Sequence, residues 1–81
     1  MLHIIYTEAA VLLSKRKWTS WREIQDAFPG YKASLGPWSV AETAQFLRDQ
    51  YSDLRPTAEL QVSALESGRQ ETVALTFEDA R

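Results

Sequence analysis

The sequence predicts an α+β domain in which three helices precede a C-terminal β-hairpin. Three observations carry that expectation. Ser20 stands three residues before Glu23, and Ser39 three before Glu42, the spacing of the capping box that opens a helix. An apolar stripe of helical period also runs through the first fifteen or so residues. After Pro56 the period shortens to two, in "ELQVSAL" and in "TVALTF".

Each element has its own reasons. The opening segment sets Leu2, Ile5, Tyr6, Ala9, Leu12 and Leu13 on one helical face. It ends in "SKRK", whose cations complement the negative end of a helix dipole. A helix over about residues 3–17 follows from this. Ile4 and Ile5 suit a strand equally well, so a short strand through "LHIIY" with a helix from Thr7 is the competing reading.

In "TSWREIQDAF" the residues Trp21, Ile24 and Phe28 line one face behind the Ser20 cap, and Pro29-Gly30 stops the helix. "SVAETAQFLRDQYSDL" repeats the device behind Ser39. Val40, Ala44, Leu47, Tyr51 and Leu54 form its stripe, Phe46 widens it, and Arg55-Pro56 ends it.

Between these helices lies "PGYKASLGPWS", residues 29–39, read as a long connection. Three large side chains in a loop are costly unless they pack, so Leu35 and Trp38 are expected to fold over the open end of the helix pair. Gly30 and Gly36 would supply its turns. The same stretch can present Tyr31, Lys32 and Ser34 as a contact surface, and both roles are compatible. In the hairpin, Leu60, Val62 and Ala64 share one face, as do Val73, Leu75 and Phe77. "ESGRQ" joins the strands, with Gly68 free to take a positive φ. The last three or four residues are expected to fray.

Bulk composition narrows the class. At 81 residues the chain makes one domain, residues 1–81, near the size at which packing alone sustains a core. It has no cysteine, so neither a disulfide nor a thiolate metal site is available. No apolar run approaches a bilayer span, and the N-terminus lacks the basic region of a signal peptide. A cytoplasmic protein without contact with the membrane is expected. The net charge of −2 is unevenly spread. Residues 1–37 hold five basic groups (Lys15, Arg16, Lys17, Arg22, Lys32) against three acidic ones, and residues 38–81 hold four against eight. The front is basic and the back acidic.

The order helix, helix, loop, helix, hairpin resembles the winged helix-turn-helix superfamily. "SWREIQDAF", "SVAETAQFLRDQY" and "AELQVSALESGRQETVALTF" carry the resemblance. It implies a winged-helix-like fold and a small DNA-binding regulator, whose third helix enters the major groove while the hairpin wing touches backbone or minor groove. One departure is the connection, since residues 29–39 replace the usual short turn.

Catalytic means are thin. Without cysteine, and with His3 the one histidine, neither a Cys-His nucleophile nor a histidine metal cluster is possible. "GYKASLG" lacks the spacing of a phosphate loop. A non-enzymatic protein with no cofactor and no metal is expected. For double-stranded DNA the candidate contacts are Lys15, Arg16, Lys17, Lys32, Gln45, Arg48 and Arg69. Lys15–Lys17 read equally as a cationic helix end, and Arg69 as a solubilising hairpin tip. Glu42, Asp49 and Asp53 on the third helix oppose phosphate binding. They support the alternative, a protein-interaction module that docks a basic partner or forms a homodimer. Its candidate contacts are Tyr31, Trp38, Glu42, Asp49 and Asp53.

Overall fold

In the computed structural model, which describes residues 1–78, the chain begins with strands rather than a helix. Strand β1 (Leu2–Thr7) and strand β2 (Val11–Ser14) form an antiparallel hairpin. Helix α1 (Trp21–Ala27) and strand β3 (Tyr31–Trp38) come next. Helix α2 (Val40–Gln50), helix α3 (Ala58–Ser67) and strand β4 (Thr72–Ala74) complete the order. The four strands form one antiparallel sheet in the order β3-β1-β2-β4. The winged-helix-like arrangement of three helices and a C-terminal hairpin is therefore corrected. The fold is α+β, but its sheet is built around the first two strands. The expected fraying of the chain end falls mainly on residues 79–81, outside the described residues.

The helix expected over residues 3–17 is a β-hairpin because its apolar residues alternate. Leu2 and Ile4 face one side of β1 while Ile5 faces the other, and Leu13 and Leu12 divide in the same way on β2. The strand through "LHIIY" in the competing reading is present, and the helix after it is not. The turn between the strands is closed by Thr7. Its hydroxyl donates to the Ala10 carbonyl and accepts from the Ala10 N–H, both at 3.0 Å. A threonine thus does what glycine or asparagine usually signals.

Two further corrections follow from burial. Residues 29–39 are not a loop. Most of them form β3, an outer strand; Gly30 and Gly36 take positive φ, but Gly36 does so within the strand rather than at a turn. Leu35 and Trp38 do pack against the core, from that strand. "ELQVSAL" is α3, because Ala58, Gln61, Val62 and Leu65 form a buried stripe of helical spacing while Leu60 is 58% exposed. Thr57 caps it by accepting from the Leu60 N–H. The two-residue alternation of Leu60, Val62 and Ala64 is incidental in a run rich in helix formers. β4 pairs with β2 instead, and Gly68 keeps a negative φ of −85°.

The sheet is the middle layer of three. On one face, Leu2, Ile4 and Leu13 pack with Ala44 and Leu47 of α2, and with Ala58, Val62 and Leu65 of α3. On the other, Ile5 packs with Trp18 and with Ile24 of α1, backed by Leu12, Phe28 and Tyr31. Buried Gln61 fastens α3 to the segment after β4. Its amide nitrogen donates to the Pro56 and Thr76 carbonyls, and its carbonyl accepts from the Thr76 N–H. Among the described residues, no helix is long and apolar enough to cross a membrane.

Candidate functional site

At the end of the sheet where β1 starts and β2 stops, the chain makes a tight loop from Lys15 to Ser20. The β1–β2 register places His3 opposite Ser14, so both side chains lie on the α1 face of the sheet. Ser14 is fully buried, and three donors converge on its hydroxyl oxygen. They are Trp18 Nε1 at 3.0 Å, Thr72 Oγ1 at 2.9 Å and the Arg16 N–H at 3.3 Å. This knot turns the indole of Trp18 back beneath the sheet, where it meets Phe28 edge to face at 5.7 Å. The Arg16 guanidinium then lies 4.5 Å from the centre of the Trp18 ring.

The three cations of the loop do not share one task. Lys15 Nζ donates to the Gly68 carbonyl at 2.7 Å and reaches the Glu66 carbonyl at 3.4 Å, capping the C-terminus of α3. Arg16 and Lys17 stay exposed. Together with His3, Trp18 and Pro37 the loop encloses a cleft of about 350 Å³. A second cleft of about 250 Å³ shares the wall of His3, Trp18 and Pro37 and opens toward Trp21 on α1. Trp21 is 55% exposed, and the Arg22 guanidinium lies 5.4 Å from its ring centre.

His3 is only 8% exposed, and its Nδ1 is buried without a hydrogen-bond partner among the described residues. Burial holds its pKa below the ordinary histidine value, and the nearby positive N-terminal amino group lowers it further. His3 is accordingly neutral at pH 7.

A second concave surface lies beyond Pro37, on the α2 side of the sheet. Trp38 and Phe46 meet there at 5.0 Å, flanked by Glu42, Gln45 and Asp49 around a groove of about 370 Å³. Glu42 completes the Ser39 capping box. Hydrogen bonds from the Ser39 backbone N–H, and then from its hydroxyl, hold the Glu42 carboxyl below the usual carboxylate range.

The residues singled out for DNA are thus divided. Lys15, Arg16 and Lys17 meet at one cleft, and Arg69 follows Gly68, whose carbonyl Lys15 holds, in the connection from α3 to β4 rather than at a hairpin tip. Lys32 lies near the opposite end of β3, beside the Thr7–Tyr31 pair. Gln45 sits between carboxylates, and Arg48 is paired with Glu59 of α3.

Of the residues assigned to a protein partner, Trp38, Glu42 and Asp49 share the acidic groove. Tyr31 packs with the smaller core, its hydroxyl 2.9 Å from Ser34 Oγ. Asp53 lies between α2 and α3, where its carbonyl accepts from the Glu78 N–H.

Sequence reasoning assigned no role at a site to His3, Trp18, Trp21 or Arg22. The available signal was "RKWTSWR", in which two tryptophans alternate with cations. Among the described residues, no group of three His, Cys, Asp or Glu could hold a metal ion. No protein-family model, curated protein or solved structure matches the chain, and nothing among them identifies a winged-helix protein.

Proposed function

We propose that the domain binds nucleic acid in single-stranded form, at the end of the sheet bounded by the Lys15–Ser20 loop and α1. The observation that carries this reading is Trp21, more than half exposed, beside Arg22 and next to the cleft rimmed by Arg16 and Lys17. An exposed indole offers a base a stacking surface, and the cations meet its phosphates. Reading of duplex DNA by α2 is disfavoured, since its outward groups include Glu42 and Asp49 and its Arg48 is engaged by Glu59. Absence of cysteine suits a cytoplasmic setting for this role.

Titration with a single-stranded oligonucleotide, followed by tryptophan fluorescence, tests the reading. Affinity falls steeply with salt as counterions are released, and Trp21→Ala costs about 1–3 kcal/mol. No binding even at low salt would sink it.

The acidic groove supports a second reading, docking of a basic protein segment on Trp38 and Phe46 between Glu42 and Asp49. Replacing Glu42 by Gln and Asp49 by Asn weakens such a complex and slows its formation. Oligonucleotide affinity does not weaken in that variant.

A further inference from the structure

His3 lines the cleft under Arg16, and one of its ring nitrogens has no partner among the described residues. The residue is more than nine-tenths buried, and the atom without a partner among the described residues is Nδ1. A buried polar atom left in that state costs free energy, and native proteins keep few of them. A buried N–H without an acceptor is rarer still than an unpaired acceptor. The imidazole proton is therefore assigned to Nε2; Nδ1 stays a buried lone pair that an anion would not satisfy, and Nε2–H is the donor that His3 offers to a ligand.

The surroundings of His3 are of one sign. The charged groups facing it are the N-terminal amino group, Lys15, Arg16 and Lys17. From β3 come Ser34, Gly36 and Pro37, and from the α1 side Trp18, Thr19, Ser20, Trp21 and Ile24, all uncharged. Lys15 is committed to α3, so Arg16 and Lys17 remain for a ligand. Arg16 has its planar fork steadied against the Trp18 ring, a preorganisation suited to phosphate oxygens. A volume of about 350 Å³ is at the small end of ligand sites and suits one nucleotide-sized group.

We propose that this cleft binds a phosphate monoester, the terminal phosphate of a nucleic-acid strand or of a free nucleotide, between Arg16, Lys17 and His3. A monoester carries more charge than a backbone diester, and it ends the strand. The proposal rests on the nucleic-acid reading and adds to it: Trp21 stacks a base, and the cleft holds the strand end.

Because the chain has a single histidine, its ring signal in a proton NMR spectrum belongs to His3 without further assignment. Four probes are compared at equal salt: one oligonucleotide with a 5′-phosphate, with a 3′-phosphate or with hydroxyls at both ends, and free adenosine 5′-monophosphate. At least one phosphorylated form binds about tenfold more tightly than the hydroxyl form, and a bound monoester raises the His3 pKa by about one unit. Which probe acts tells a 5′ end, a 3′ end and a free nucleotide apart. The preference falls to within twofold in His3→Gln and in Arg16→Gln, the second being an exposed position whose loss does not endanger folding.

Equal binding of the three oligonucleotides with an unmoved His3 signal overturns the cleft and leaves nucleic-acid binding standing. Adenosine monophosphate moving His3 while no oligonucleotide binds overturns the strand reading and supports the cleft. Silence from all four overturns both.

Discussion

The indole nitrogen of Trp18 donates to the buried hydroxyl of Ser14 at 3.0 Å, joining the last residue of β2 to the loop that carries the cations. Ser14 also receives Thr72 Oγ1 from β4 and the Arg16 N–H, so one hydroxyl sets the shape of the candidate site. Ser14→Ala strands these donors and is expected to destabilise the fold by about 1–3 kcal/mol. Oligonucleotide affinity should fall alongside, as Trp18 and Arg16 lose their positions. Denaturant unfolding measures the first effect and fluorescence titration the second. Wild-type stability in this variant would mean that the knot is incidental.

Burial distinguishes two leucines that sequence periodicity treats alike. Leu47 is fully buried between α2 and the sheet, and Leu60 is 58% exposed on α3. Leu47→Ala should cost about 2–5 kcal/mol, and Leu60→Ala about 0.5 kcal/mol or less. Equal losses in urea unfolding would contradict the helical reading of residues 58–67, since a strand there would bury Leu60 with Val62.

Gly36 and Gly30 both take positive φ but differ in the room around them. A Cβ on Gly36 would lie 2.5 Å from the Leu2 carbonyl oxygen, inside the β1–β3 pairing, whereas one on Gly30 would make ordinary contacts at 3.5 Å. Backbone strain alone costs about 1–3 kcal/mol at either site. Gly36→Ala should therefore lower Tm by more than Gly30→Ala, by an extra amount on the order of 10 °C for a domain this size. The opposite ranking in thermal melts would place the β1–β3 register in error.

Acid should weaken the fold through His3. The pKa of His3 is lowered in the folded state, so below the ordinary value of about 6.5 the unfolded chain takes up a proton that the folded chain does not. Stability is complete above that value, declines as the pH falls through it, and stops declining once the folded histidine is also protonated. Denaturant midpoints between pH 7.5 and 5.5 should fall for the wild type and stay level for His3→Gln. A flat wild-type profile would show His3 to be freely solvated.

Signals of short range were the legible ones. The Ser39–Glu42 capping box forms as read, because its partners are three residues apart and need nothing else. Ser20 also caps its helix, but Glu23 turns its carboxylate to Thr19 instead of closing the box. Where two periods fit the same residues, tertiary pairing decided. "LHIIY" and "VLLS" become strands because each can bury both faces, between α1 and the α2–α3 layer. "ELQVSAL" becomes a helix because its buried residues recur at helical spacing, and from that helix Gln61 bonds the backbone of Pro56 and Thr76. The site was legible in part. Lys15–Lys17 stand out as a charge run, but the burial of His3 depends on Gly36 and Pro37 of the distant β3, and the recruitment of Lys15 depends on α3, 53 residues away at Gly68.

The two cores differ in how far along the chain they reach. The one beneath α1 is drawn wholly from residues 5–31, whereas the one beneath α2 and α3 joins Leu2 to Leu75. Closing a longer loop costs more entropy, and local contacts form faster than distant ones. Topology thus predicts an order of assembly, in which hairpin and α1 condense around Trp18 first and β4 docks last against β2. Changes beneath α1 would slow folding, and changes along β4 would instead hasten unfolding.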